Sequence, residues 1–173
     1  MASSEAEAPT ASISFRVYGR PAPQGSKRAF AIRKNGVPTG KVAVIESSHD
    51  RVKSWRQAVL EAAAVAMPND LPGQDHLLDG AISIAITFVL PRPKSHYRTG
   101  RNAGILRDRA PRHPHGTPDL SKLLRATEDG LTSVVWHDDA QVVKAAISKV
   151  YEDYGPSARW GAPGARITIS PLA

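Results

Sequence analysis

Regular patterning begins at Ser12, where SISFRVYG sets apolar Ile13, Phe15 and Val17 at alternate positions between polar neighbours. That period predicts a strand with one buried face. The glycines and prolines of GRPAPQGSKR end it in a loop of restricted shape. Residues 30–45 read as a short hairpin, with KNG as its turn and KVAVI as its second arm. A helix follows, capped by Asp50 or Ser48. Val52, Trp55, Val59, Ala62 and Ala63 recur there at helical spacing until Pro68 stops it, and Trp55 is the expected core anchor. NDLPGQDHLLDG is a connector, and AISIAITFVL at 81–90 is a well-buried strand.

The pattern breaks over residues 91–118. This stretch carries Arg92, Lys94, Arg98, Arg101, Arg107, Arg109 and Arg112 against the single acid Asp108, and its prolines and glycines deny it regular structure over most of its length. Long loops inside compact domains are usually functional, and one this basic is suited to ordering on a phosphate backbone. His96 and Tyr97 have two readings: stacking on exposed bases at a junction or gap, or packing the loop back onto the domain. The second is favoured for Tyr97.

Periodicity returns in TPDLSKLLRATEDGL, residues 117–131, which reads as a helix with Thr117 as N-cap and Pro118 in the first helical position. Leu120, Leu123, Leu124, Thr127 and Leu131 cover one side; Ser121, Lys122, Arg125, Glu128 and Asp129 cover the other. Asp119 falls at the rim in the first turn, where free amides and the helix dipole favour a carboxylate. After VVW at 134–136 come His137, Asp138 and Asp139. The strand QVVKAAISKVY then sets Val143, Ala145, Ile147 and Lys149 on one face and Val142, Lys144, Ala146 and Ser148 on the other. GPSARWGAPG at 155–164 is a loop and ARITIS at 165–170 a terminal strand, while the small, acidic residues 1–11 form a flexible tail. One domain over 12–171, including the basic loop 91–118, is therefore expected.

Composition narrows the partners. Lysine and arginine number 23 against 16 acids, a formal charge of +7, which favours a polyanion. The 41% hydrophobic content argues against disorder in the body of the chain. With no cysteine there are no disulfides, thiolate zinc sites or cysteine nucleophiles, which suits a reducing cytosol. No apolar stretch is long enough to span a bilayer as a helix, and MASSEAEAPTAS lacks the basic region and apolar core of a signal peptide. A soluble intracellular protein is expected.

Neighbouring carboxylates such as Asp138 and Asp139 repel each other unless cations or amides compensate them. Beside Asp119, one of them completes an oxygen-ligand site for a hard metal. Such sites hydrolyse phosphodiesters, and Arg125, on the same helix as Asp119, is placed to share the developing charge.

Residues 118–151, PDLSKLLRATEDGLTSVVWHDDAQVVKAAISKVY, resemble the signature of the RusA family of Holliday junction resolvases of bacteria and their phages or prophages. That signature is an Asp-x-Asp-Asn-x-x-Lys helix start, an aspartate within the helix, and an Asp-Asp-x-Gln-Val motif opening a strand. GRPAPQGSKR is similar to the loop after the family's first strand. The resemblance implies that Asp119 and Asp139 are the first and last essential aspartates, with Asp138 beside the latter and Asp129 the aspartate within the helix. Asp119, Asp139 and Arg125 are then the catalytic set and Asp119, Asp139 and Asp138 the metal ligands, with Ser121, Asp129 and Lys122 in support.

Two positions depart from the family. Ser121 stands where its second catalytic aspartate belongs, and a neutral hydroxyl is a poor ligand for a hard cation. Arg125 stands where the family has lysine; it keeps the charge but donates no proton at neutral pH. Glu128 and Asp129 lie about two turns from Asp119, so Asp138 is the better substitute acid, and His113 or His115 is a candidate for the outer shell.

The fold implied is a small α+β domain with a mixed sheet packed by helices. It is expected as a homodimer whose paired sites make matching nicks in a junction. The implied activity is Mg²⁺-dependent resolution of Holliday junctions or related branched DNA by paired phosphodiester hydrolysis, with Mn²⁺ a possible substitute, in the cytoplasm of a bacterial cell or phage-infected host. Arg20, Lys27, Arg28, Arg92, Lys94, Arg98, Arg101, Arg107, Arg109 and Arg112 are the expected DNA contacts; Arg159 and Trp160 are candidates for a dimer or DNA surface, with a satisfied surface tryptophan the equal alternative for Trp160. Two alternatives stand beside this: a structure-selective DNA-binding protein that has lost its metal chemistry through Ser121, and a phage or host structural adaptor without salt-sensitive DNA binding.

Overall fold

The structure, a computed structural model, describes residues 12–25, 27–46, 49–68, 76–153 and 161–172. The expected order of elements is present: β1 (Ile13–Tyr18), β2 (Lys27–Lys34), β3 (Val37–Glu46), α1 (His49–Ala66), β4 (Ile82–Leu90), α2 (Leu120–Leu131), β5 (Val142–Tyr151) and β6 (Gly164–Pro171). Four strands form one sheet in the order β1-β6-β4-β5. β6 runs antiparallel to β1 and β4, and β5 runs parallel to β4, so the sheet is mixed and the domain α+β. β2 and β3 pair as a separate hairpin. It turns at Asn35 and Gly36, both with positive φ (52° and 81°), the backbone an Asn-Gly pair adopts most readily.

The register Ile13↔Ile169↔Ile84 stacks apolar positions of three strands on one face of the sheet. Ile82, Ile84, Ile86, Phe88, Ile167 and Ile169 are buried there with Val52, Trp55 and Val59 of α1 and Leu123, Ala126 and Leu131 of α2. Trp55 is the anchor its spacing predicts. Its indole N–H donates to the Thr127 hydroxyl at 3.1 Å, and that hydroxyl donates to the Leu123 carbonyl at 2.9 Å. Buried Thr127 is thereby satisfied and adds a polar tie between the helices.

The two helices are in close contact at Gly130, where a Cβ would lie 3.0 Å from the Arg56 carbonyl oxygen and 3.2 Å from Val59. Gly130→Ala gains about 1 kcal/mol of helix propensity but overpacks the crossing by roughly 1–3 kcal/mol. The expected result is a net loss of about 1 kcal/mol, read as a fall of about 2–4 °C in the thermal midpoint.

Three expectations need correction. Asp50 lies within the first turn of α1 and does not precede it; Ser48 is outside the described residues. α2 begins at Leu120 with Asp119 as N-cap, displacing Thr117 and Pro118 from that role. The cause is Lys149 on β5, whose ammonium donates to the carbonyls of Gly116 (2.6 Å) and Pro118 (2.9 Å) and ties the approach to the helix down as a strap.

The third correction concerns β5. Ile82 pairs with Val142 but Ser83 pairs with Lys144, so a register shift at Val143 interrupts the alternation. Val142 packs on the core and Val143 is 63% exposed, the reverse of a regular strand read from Ala145 and Ile147. The basic loop is irregular over most of its length, as its prolines and glycines predict. It contains single 3₁₀ turns at Lys94–His96 and Gly100–Asn102, and it bonds to itself through Arg98 N–H to Ile105 O and Arg107 N–H to His96 O, both 2.9 Å. These bonds brace the loop from within.

The tail 1–11 and the loop residues 155–160, including Arg159 and Trp160, lie outside the described residues. Among the described residues no helix is long and apolar enough to cross a membrane.

Candidate active site on the polar side of helix α2

Ser121, Arg125, Glu128 and Thr132 succeed one another at intervals of four, three and four residues, which puts them in one row along α2. Thr132 is the C-cap, and its hydroxyl donates to Oδ1 of Asp139. The indole N–H of buried Trp136 donates to the same oxygen at 3.1 Å. Asp139 is thus held at the end of the row by two donors on one oxygen, and no described residue donates to Oδ2.

The Asp-Asp-x-Gln motif explains how Asp139 is presented. Asp138 caps the short 3₁₀ turn Asp139–Gln141, accepting from the Ala140 amide at 2.7 Å. Gln141 returns the cap by accepting from the Asp138 amide at 3.1 Å. Its amide also donates to the Leu78 carbonyl at 2.9 Å, fastening the turn to the lead-in of β4. Asp138 therefore has a positioning role visible in the structure, which pushes Asp139 outward.

Glu128 stands close enough to Asp139 to feel its charge. Burial first, then the charges of Asp139 and Asp129, push its carboxyl above the ordinary glutamate value, against the opposite pull of Arg125. Folding thus favours protonated Glu128, so the stability it contributes is present below the ordinary value of 4.5 and is lost as pH rises through the raised folded value. Glu128→Gln removes that loss. The variant is expected to melt above the wild-type protein at pH 8 and with it near pH 3, and equal midpoints at both values would refute the assignment.

Asp119 is elsewhere. As N-cap of a twelve-residue helix whose C-cap touches Asp139, it lies roughly 20 Å from that carboxylate at 1.5 Å per residue. Its side chain makes no cap bond and pairs with Lys122 at 3.3 Å. Asp129 turns to α1 and pairs with Arg56. Among the described residues no three acidic or histidine side chains converge as a ready metal cage. Asp119, Asp138 and Asp139 therefore do not fit one shared cation within a single chain. Asp139 and Glu128 do have the donor chemistry for a hard cation: two nearby carboxylates, one braced by hydrogen bonds on a single oxygen and both within the field of Arg125's helix row.

Spacing had set Glu128 aside because it is two turns from Asp119; measured from Asp139 it is the nearest acid in the row. Thr132 and Trp136 carried no signal in the sequence.

The basic residues divide. Arg92 does not belong to the DNA surface: it is 8% exposed, donates through Nε to Asp153 (2.6 and 2.8 Å) and through an Nη to the Pro111 carbonyl at 2.7 Å, and lies 4.1 Å over the Tyr151 ring. Arg98 pairs with Asp108 and Arg107 donates to the Tyr97 carbonyl, so both brace the loop. Tyr97 packs back onto the domain toward Asp153, and burial together with that carboxylate raises its phenol above the ordinary value. Arg20, Lys94, Arg101, Arg109 and Arg112 are exposed; the side chains of Lys27 and Arg28 on β2 lie outside the described residues.

Comparison with known proteins places this geometry in context. The family described as Endodeoxyribonuclease RusA matches residues 20–159, a span that contains the whole row, the Asp-Asp-x-Gln turn and the basic loop. A relative from Bacillus subtilis (strain 168), described as "Uncharacterized protein YqaN", is 27% identical over 146 residues, 82% of this chain and 89% of the relative.

Proposed function

We propose, from the premise that this chain belongs to the RusA endodeoxyribonuclease family, that it acts as a homodimer which cuts Holliday junctions or related branched DNA with Mg²⁺, or Mn²⁺ in its place. The observation that carries this reading is the row Ser121, Arg125, Glu128 and Thr132 along α2, ended by Asp139 from the 3₁₀ turn that follows, which aligns a cation and two carboxylates on the accessible side of the helix. A bound divalent ion would lower the pKa of an attacking water and stabilise charge on the phosphate oxygens. Asp139 and Glu128 would hold it. A homodimer accounts for Asp119: a two-fold axis that pairs antiparallel α2 helices brings the start of one protomer's helix to the end of the other's and repeats the site symmetrically.

Arg125, exposed and without a hydrogen bond or ion pair among the described residues, supplies fixed positive charge to the scissile phosphate. The exposed arginines and Lys94 of loop 91–118 extend that field along the DNA backbone.

Ser121 favours one second reading. The cleft of about 440 Å³ bounded by Ser121, Lys122, Arg125, Gln24 and Gly25 contains no carboxylate, so its chemistry suits a phosphate better than a metal ion. A protein that grips junctions without cutting them would have such a cleft. The deciding experiment is incubation of a labelled four-way junction and a matched linear duplex with the protein in Mg²⁺, Mn²⁺ or EDTA. Symmetric, metal-dependent nicks in the junction support the nuclease. Tight, chelator-insensitive junction binding without nicks moves the answer to the second reading, and absence of salt-sensitive binding to either DNA removes both.

A further inference from the structure

A cavity of about 360 Å³ opens between the basic loop, the strap before α2 and the ends of β4 and β5, within the roughly 300–1,000 Å³ typical of ligand pockets. Its walls are largely preformed. Pro91, Pro93, Pro114 and Pro118 contribute rigid rings, and His96 and Tyr151 contribute aromatic ones. Tyr151 is fixed from two sides, by the Arg92 guanidinium over its face and by His96 edge-on, with ring centroids 5.7 Å apart at 88°. Arg20 and His115 stand exposed at the rim, and no carboxylate is among the described residues that line the cavity.

We propose that this cavity receives one unstacked base of the bound DNA and so selects branched DNA over intact duplex. This rests on the DNA-cutting reading above. Proline rings beside polar groups suit a base with its apolar face and polar edge, and the cationic rim suits the phosphates on either side of it. The strap Gly116–Pro118 forms one wall and leads directly into Asp119, and Lys149 clamps it to the sheet. A base lodged here brings its own backbone to the start of α2. Withdrawing a base costs least where pairing is already broken, as at a branch point, so the cavity fills readily on a junction and poorly on a duplex.

Gly116 provides the test, since a Cβ there would meet nothing within 4 Å and its backbone is not in the left-handed region. Gly116 is part of the cavity wall, so Gly116→Leu adds bulk there without a clash at its Cβ, and a thermal melt checks that it folds. The substrates are four-way junctions carrying 2-aminopurine at each position flanking the crossover, with a linear duplex for comparison. Wild-type protein is expected to change the fluorescence at one flanking position. The variant is expected to lose that change together with about tenfold of the ratio of junction to duplex affinity, as for loss of one stacked base. His115→Ala, at the rim, is expected to reduce the change without abolishing it.

An unaltered signal and ratio in Gly116→Leu, with junction binding otherwise normal, would overturn the cavity alone. Failure of the wild-type protein to bind DNA at all would overturn the DNA reading and the cavity with it. Binding of a free deoxynucleoside monophosphate that is blocked in Gly116→Leu, with no junction signal, would assign the cavity to free nucleotides and overturn the proposal.

Discussion

Asp139→Asn is expected to abolish metal-dependent nicking of a four-way junction, a loss of about 100-fold or more, while junction binding and thermal stability stay near the wild-type values. The size follows from removing the one carboxylate that ends the α2 row: metal stabilisation of the reacting phosphate is worth several kcal/mol, and each 1.4 kcal/mol is a factor of ten in rate. The substitution keeps shape and an acceptor. The Thr132 hydroxyl and the Trp136 indole both donate to Oδ1, and an asparagine carbonyl oxygen takes the same bonds. What disappears is negative charge at the open oxygen. The same loss removes one of the two charges that raise Glu128, so the Glu128 carboxyl should titrate lower in this variant, which a site-resolved NMR titration would detect independently of any cleavage. Single-turnover cleavage with binding measured in parallel separates the cases: unchanged nicking would place the chemistry elsewhere, and loss of binding together with nicking would mean that Asp139 positions the DNA.

The legible part of this protein is the part governed by local period. Alternation gave β1, helical spacing gave α1 with Trp55 and α2 with Leu123 and Leu131, and Asn35-Gly36 gave the hairpin. The illegible part depends on partners distant in sequence. The start of α2 moved by two residues because Lys149 takes the Gly116 and Pro118 carbonyls. The faces of β5 shifted because one residue bulges against β4.

In the site, resemblance singled out Asp119 and Asp139 together, but a helix separates them, and no spacing along the chain shows that an N-cap and a residue beyond the C-cap stand far apart. Glu128 escaped for the complementary reason: its importance depends on the return of the chain that brings Asp139 back to Thr132. Asp138, read as a ligand, has a local capping partner two residues on, a role that the motif could have disclosed.

Arg92→Ala is the second large effect, and it falls on stability. From sequence Arg92 is one more cation in a basic loop. In the fold its side chain is 4% exposed and its partner Asp153 30% exposed, joined by Nε to both carboxylate oxygens, by an Nη to the Pro111 carbonyl and by the Tyr151 ring beneath. This one side chain therefore fastens the loop to the end of β5 and braces the wall of the cavity beside Asp119. Removing one member of a buried pair costs roughly 3–5 kcal/mol, and because Asp153 can regain water the lower end, about 3 kcal/mol, is expected. For a chain of this length that is a fall of roughly 6–12 °C in the thermal midpoint.

The DNA readout should move differently. An arginine that contacts phosphate contributes about 0.9 to the slope of log affinity against log salt; Arg101→Ala, on the exposed loop, is expected to lower that slope, and Arg92→Ala, measured below its own melting temperature, to leave it unchanged. A reduced slope with an unchanged melting temperature would return Arg92 to the DNA surface. The opposite pair of results would establish that the loop's shape, and not only its charge, is part of how this domain meets its substrate.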